Sequence, residues 1–232
     1  MNLAEKSIVE TQNVTKTYRQ HDIEVHALQG VSLKIDAGEF TVMVGPSGSG
    51  KTTLLNHIGG LDSPTTGDIR IGDQFLGKLS RNALTTLRLW KIGFIFQEYN
   101  LISVLTALEN VEYVMLLQGI TATERRQRAE AILQEVGLAA MANRRPHELS
   151  GGQQQRVAVA RAMVTQPSII LADEPTANLD SKTGASLLDL MKTLNEQHGI
   201  TFLFSTHDPM VMERAKRVVR LKDGRIDSEE RR

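Results

Sequence analysis

The sequence predicts an α/β fold: a core with a parallel sheet, an antiparallel β-subdomain ahead of it, and a helical subdomain inserted within it. Three observations predict this. A glycine-rich loop, Gly45 to Thr52, sits between an apolar β-prone run and a stretch without helix breakers. Two short continuous apolar runs, Ile169-Ile170-Leu171-Ala172 and Ile200-Thr201-Phe202-Leu203-Phe204, flank a helical pattern, as parallel strands buried on both faces require. A long stretch from about Leu101 to Val164 is helical in pattern and interrupts the strand–helix alternation.

Taken in chain order, Ile8 to Val14, His26 to Leu28 and Val31 to Ile35 are short strand-like runs separated by polar residues and Gly30, expected to form an antiparallel edge. Phe40-Thr41-Val42-Met43-Val44 is the strand entering the glycine loop, and Thr52 to Ile58 is the helix leaving it. The loop itself, Gly45-Pro46-Ser47-Gly48-Ser49-Gly50-Lys51-Thr52, reads G-x-x-x-x-G-K-T. In a strand–loop–helix context that pattern wraps the β- and γ-phosphates of a nucleotide. Its glycines let the backbone approach a polyphosphate with N–H groups turned inward, and the helix N-terminus adds partial positive charge. Lys51 supplies a mobile cation and Thr52 a hydroxyl for Mg²⁺; Thr53 follows in the first turn and is counted with the nucleotide-binding set. A dinucleotide loop would need G-x-G-x-x-G, and Gly48-Ser49-Gly50 is followed by Thr53 where the third glycine should stand. The chain is expected to bind a nucleoside triphosphate.

Beyond the loop, Ile69-Arg70-Ile71-Gly72 and Ile92-Gly93-Phe94-Ile95-Phe96 read as strands. Thr121-Ala122-Thr123-Glu124 fits a capping box, after which Ala129, Ile132, Leu133 and Val136 recur at helical spacing until Gly137. Ser150 with Gln153 forms another capping box at the head of the run Gln154 to Val164. Read plainly, that is a well-capped helix; the two glycines Gly151 and Gly152 beside the cap also make a second anion-seeking helix start. The Ile169 run ends in two acids, Asp173 and Glu174. Asp180 suits the N-cap of the helix Ser181 to Gln197, whose Leu187, Leu188, Leu190, Met191 and Leu194 face inward. The last residues, Arg225 to Arg232, read as a frayed charged tail.

Composition bounds the partners. At 232 residues, 41% hydrophobic and 23% charged, the chain has the make-up of an ordinary globular domain. With 27 basic and 27 acidic residues the net charge is zero, which removes the simple electrostatic case for nucleic acid. There is no cysteine, hence no disulfide, zinc ribbon or thiol chemistry. No apolar run approaches the roughly 18 residues that span a bilayer, and Met1 to Glu10 lacks an apolar leader segment, so any membrane part is expected on another chain.

Leu149-Ser150-Gly151-Gly152-Gln153, followed by Arg156, Ala158, Ala160 and Arg161, resembles the signature of the ATP-binding-cassette (ABC) ATPases, and the resemblance covers nearly the whole chain. It implies a single ABC ATPase domain, with a RecA-like core and β-subdomain over about 1–97 and 165–232 and a helical subdomain over about 98–164. It also implies a dimer with two ATPs, in which Ser150, Gly151, Gly152 and Gln153 of one subunit close over the nucleotide of the other. Ile169 to Glu174 matches the Walker B pattern: Asp173 is implied to hold Mg²⁺ through water and Glu174 to be the general base. Gln97 matches the Q-loop glutamine near Mg²⁺ or the γ-phosphate, His207 the switch histidine, Asp180 the D-loop aspartate at the dimer seam, and Tyr18 the aromatic that stacks on adenine. Lys51, Gln97, Glu174 and His207 form the implied catalytic set.

Gly93 to Leu101, Leu105 to Val111, Gly59 to Gly67 and Ala172 to Asp180 resemble the lipoprotein-releasing and macrolide-exporter type of ABC ATPase. That implies an integral membrane permease as partner, at the cytoplasmic face of a bacterial inner membrane, for export, lipoprotein release or mechanical signalling across the envelope. Glu98, Tyr99, Leu101, Leu105 and Leu108 are the candidates for receiving a short helix of that partner; Leu and Tyr there serve equally as subdomain core. The chain stops at Arg232, so a separate permease is expected, or the sequence is a truncated part of a fused protein. The competing function is a soluble ABC ATPase on a non-transport scaffold, such as iron–sulfur assembly, which copurification with a membrane protein would exclude.

Overall fold

The computed structural model describes residues 7–20 and 23–232, so the expectation for Met1 to Glu10 lies outside the described residues as far as Lys6. Strands β1 (Ser7–Gln20) and β2 (Ile23–Asp36) form one long antiparallel hairpin where three short strands were expected. The polar breaks in the pattern are bulges and not ends. The register shifts around Val14, Asn13 takes φ 47°, and Gly30 takes φ 80°. The fully buried β3 (Phe40–Val44) enters the glycine loop and α1 (Lys51–Ile58) leaves it. Strand β4 (Thr66–Ile71) pairs with β1 and with the two-residue β5 (Gln74–Phe75), completing a sheet of order β2-β1-β4-β5. Helix α2 (Arg81–Lys91) then starts on Ser80, whose hydroxyl accepts the Ala83 N–H, and ends at β6 (Ile92–Ile95).

Helices α3 (Ala107–Leu117), α4 (Ala122–Glu135) and α5 (Gly151–Met163) follow. The cap of α4 is half of what its sequence promises: Thr121 Oγ1 accepts the Glu124 N–H, but the Glu124 carboxylate pairs with Arg128 one turn on and does not reach back. A complete box stands at Thr106 and Glu109, at the head of α3. The parallel core continues with β7 (Ile169–Asp173), α6 (Ser181–His198), β8 (Thr201–Ser205), α7 (Pro209–Arg214), β9 (Arg217–Lys222) and β10 (Arg225–Arg231). The sheet order is β10-β9-β3-β8-β7-β6, parallel throughout except for the β10–β9 edge.

The terminal residues are therefore a strand and not a frayed tail. Arg217 explains why: it is buried, donating to the Lys34 carbonyl and to Glu39, and its remaining N–H groups reach Glu229 of β10. Glu39 compensates the buried guanidinium from one side, but without Glu229 its Nε and Nη2 groups would lose their carboxylate partner, so the charged tail is held in place by what it pairs with.

Alternation along the core strands sorts side chains to two faces. Phe40, Val42, Ile170, Ala172, Phe202 and Phe204 pack with α3 to α6, including Leu187, Leu188, Met191 and Leu194. Met43, Ile169, Leu171, Leu203 and Val219 pack with Leu54, Leu55 and Ile58 of α1 and with the hairpin. Both faces of the sheet are covered, which is why its strands read as continuous apolar runs.

Candidate functional site

The glycine loop is clamped from both sides. A Cβ on Gly45 would overlap the Leu221 carbonyl oxygen of β9, and one on Gly50 would stand 2.5 Å from the Ala27 carbonyl of the hairpin. Gly50 also takes φ 99°, which L side chains rarely adopt, and serves as the N-cap of α1 without any side-chain hydrogen bond. The first N–H groups of α1 thus have no side-chain cap, which suits a helix end meant for an anion. Lys51, only 8% exposed, folds its ammonium back to the carbonyls of Gly45 at 2.8 Å and Pro46 at 3.1 Å.

The ends of β7 and β8 meet the loop. Thr52 Oγ1 donates to Asp173 Oδ1 at 3.1 Å, and burial pushes the Asp173 carboxyl above its ordinary pKa. Glu174 stands in the left-handed region at φ 45°. Its N–H donates to the Ser205 carbonyl, its Oε2 accepts from Thr206 Oγ1 at 2.9 Å, and its Oε1 lies 2.8 Å from His207 Nδ1. An ionised carboxylate only accepts, so the imidazole donates from Nδ1. A cleft of about 730 Å³ runs over this arrangement, lined by Pro46 to Thr53 with Tyr18, Gln97, Glu174, Ala177 and His207. Gln97 lies two residues past β6, its carbonyl accepting from Asn178 Nδ2 at 3.0 Å. Tyr18 is 43% exposed and donates its hydroxyl to Asp62. Asp62 escaped the sequence reading because it lies in a turn with no chemical pattern of its own.

The second group of expected residues stands apart. Ser150 caps α5, accepting the Gln153 N–H while Gln153 Oε1 accepts the Ser150 N–H, and none of Ser150, Gly151, Gly152 or Gln153 lines the cleft. A Cβ on Gly151 would stand 2.7 Å from Tyr99 Oη, and one on Gly152 would overlap Thr183 Cγ2. Asp180 caps α6 through the N–H groups of Lys182 and Thr183 and accepts from Thr183 Oγ1 at 2.6 Å. Helix α5 is tied to the segment after β6 through Gln155, which donates to the Phe96 and Pro175 carbonyls, and through Arg161, which donates to those of Tyr99 and Asn100.

Near that segment lies an open apolar hollow of about 380 Å³, with Leu61, Leu89, Phe94, Phe96 and Val114 in its wall. Of the residues expected on a partner-facing groove, Leu108 is buried at 1% exposure and Leu101 packs against the core. Helical spacing cannot separate those from surface leucines. The exposed apolar side chains of this region are Leu61, Trp90, Ile102, Val104, Tyr113, Leu116 and Leu117.

A family model described as ABC transporter matches residues 28–177. The chain is 48% identical over 228 residues, 97% of each chain, to an uncharacterized ABC transporter ATP-binding protein of Methanocaldococcus jannaschii. It superposes on the dimeric post-hydrolysis structure of that cassette, bound to ADP and Pi, with a TM-score of 0.88, covering 96% of this chain and 98% of that one. It is 44% identical to the lipoprotein-releasing system ATP-binding protein LolD of Chromohalobacter salexigens, over 96% of this chain and 94% of the relative. To the macrolide export ATP-binding/permease protein MacB of Syntrophobacter fumaroxidans it is 45% identical over 96% of this chain, which spans 31% of that longer protein.

Proposed function

We propose that this chain, which belongs to the ABC transporter family, is the ATP-hydrolysing subunit of a transporter and works as an ATP-sandwich homodimer on an integral membrane permease. The observation that carries the reading is the split site. One cleft gathers the phosphate loop, Gln97, Glu174 and His207, while the capped turn Ser150 to Gln153 lies outside it, free to serve a second copy's nucleotide. Thr183, which donates to Asp180, packs beside that turn, and this supports reading Asp180 as the D-loop aspartate at the dimer seam. The helical segment over about 98–164 acts as the arm carrying the turn, and 1–97 with 165–232 as the core that binds nucleotide.

In this reading the ATP phosphates displace the Gly45 and Pro46 carbonyls as partners of Lys51. Phosphate oxygens also take the uncapped N–H groups of α1. Mg²⁺ fits the donor set: Thr52 and Asp173 offer a hydroxyl and a carboxylate already within 3.1 Å, with Gln97 in the same cleft. When bound, it neutralises charge on the β- and γ-phosphates. Glu174 takes the proton of the attacking water, and that proton leaves on the phosphate released as ADP forms. Thr206 and His207 hold the carboxylate in orientation, and Tyr18 stacks on the base.

Among the described residues no helix is long and apolar enough to cross a membrane, so the permease supplies the spanning part. The exposed apolar rim around Leu61, Trp90 and Val104 is its docking surface, and the site of action is the cytoplasmic face of a bacterial inner membrane. LolD and MacB are the named relatives whose systems the chain resembles, and they favour transport over a non-transport scaffold. The test is Ser150→Arg, whose side chain would enter the partner's phosphate site. ATP binding by the monomer stays at the wild-type level while ATP-dependent dimerisation and turnover are lost; a variant that still dimerises with ATP refutes the shared site.

A further inference from the structure

The hydroxyl of Tyr18 does not point to open water. It donates to Asp62 Oδ2 at 3.0 Å, in the turn that follows α1. Asp62 collects further partners: Lys16 Nζ lies 2.9 Å from both carboxylate oxygens, the Ser63 N–H donates to Oδ1 at 2.7 Å, and His57 Nδ1 stands at 3.9 Å. Lys16 is held in turn by the Ser63 carbonyl at 2.8 Å, which brings its ammonium within 4.8 Å of the Tyr18 ring centroid. Lys16 does not line the cleft, whereas Tyr18 does, so the ring meets the cation outside the cleft and still borders the space a ligand would fill.

The placement matters because α1 links the phosphate loop to the turn that carries Asp62. It begins at Lys51 within the phosphate loop and ends at Ile58, with His57 fully buried in its last turn. The tether at Asp62 therefore fixes the ring to the turn that ends the same short helix whose first turn faces the phosphates. A half-exposed tyrosine without such a tether would turn about its broad χ2 torsion and would have to be ordered when a base arrives.

We propose that Asp62 is a positioning residue for nucleotide recognition. Through the Tyr18 hydroxyl it sets the ring at a fixed distance from the phosphate loop, so base and triphosphate are bound in register. This rests on the reading of Tyr18 as the platform for the base.

The experiment titrates the full-length chain, without Mg²⁺, with ATP and separately with inorganic tripolyphosphate, which lacks the base. Asp62→Ala weakens ATP binding about three- to tenfold, the range expected for one lost hydrogen bond, and changes tripolyphosphate binding less than about twofold. Tyr18→Phe, which keeps the ring and breaks this bond together with the hydroxyl's interaction with Thr53, gives the same split and carries the test if Asp62→Ala does not fold. In a Tyr18→Ala background Asp62→Ala has no further effect on ATP. Equal losses for ATP and tripolyphosphate, or a loss that persists in the Tyr18→Ala background, overturn the tether while leaving the platform standing. If Tyr18→Ala itself leaves the ATP-to-tripolyphosphate ratio at the wild-type value, the platform is overturned and the proposal with it.

Discussion

Replacing Glu174 by Gln separates chemistry from architecture. The carboxylate has two partners, Thr206 Oγ1 at 2.9 Å and His207 Nδ1 at 2.8 Å. A glutamine keeps both: its Oε1 accepts from the threonine, and its amide donates to Nδ1 once the imidazole carries its proton on Nε2. The His207 side chain is 75% exposed, so that tautomer is free to form in water. What disappears is the charge assistance, the difference between about 1.5–3 kcal/mol for a charged hydrogen bond and about 0.5–1.5 for a neutral one. Exposure reduces even that, and a loss of about 1 kcal/mol moves the melting temperature of a chain this size by about 2–4 °C. The left-handed backbone at 174 asks the same of either residue. Removal of a general base, by contrast, lowers turnover about 10²–10⁴-fold, equal to about 2.7–5.5 kcal/mol of barrier. Phosphate release at saturating Mg-ATP, a thermal melt, and light scattering for the ATP-bound dimer measure the three quantities together. The expected result is a near-native melt, a persistent dimer and almost no phosphate. Turnover within about threefold of wild type, with the fold intact, would refute Glu174 as the base.

Three further outcomes follow from the same cleft. Lys51→Ala removes a cation that phosphate oxygens would take over, and ATP affinity by calorimetry falls about 10- to 100-fold; an unaltered affinity undercuts the phosphate-loop assignment. Burial raises the folded pKa of Asp173 above its ordinary value of 3.8, so ionising it costs the metal-free fold stability as pH rises from 3.8 through the folded pKa, and no such cost exists below 3.8. Asp173→Asn therefore raises the metal-free melting temperature at neutral pH, and the gain vanishes in acid. In the wild type, Mg²⁺ enhancement of ATP binding weakens as pH falls through the raised pKa, and a pH-independent enhancement would sink the assignment.

The sequence carried the cleft further than it carried the frame. The loop, the strand-end acids and the Ser150 and Asp180 caps were legible because each depends on a few residues at fixed spacing. The hairpin was misjudged because bulges at Val14 and Gly30 look like strand ends when only alternation is read. Strand β10 was misread because the pairing of Glu229 with Arg217 is a contact across the sheet that charge density along the chain cannot reveal. Tyr18 was found only through resemblance, and Asp62 not at all, since what distinguishes it is where the turn after α1 falls against β1. Leu108 shows the opposite failure: burial against a neighbouring helix decides its role, and periodicity alone allows either answer.

The crowding of Gly151 by Tyr99 and of Gly152 by Thr183 changes how variants there should be understood. Adding even a methyl group at either position pushes against atoms of the same polypeptide before any second copy arrives. An inactive alanine variant at 152 is thus ambiguous between a damaged protomer and a failed assembly. Substitutions at the exposed Ser150 lose a helix cap but meet no such clash, so a melt beside the dimerisation assay separates a damaged protomer from a failed encounter between copies.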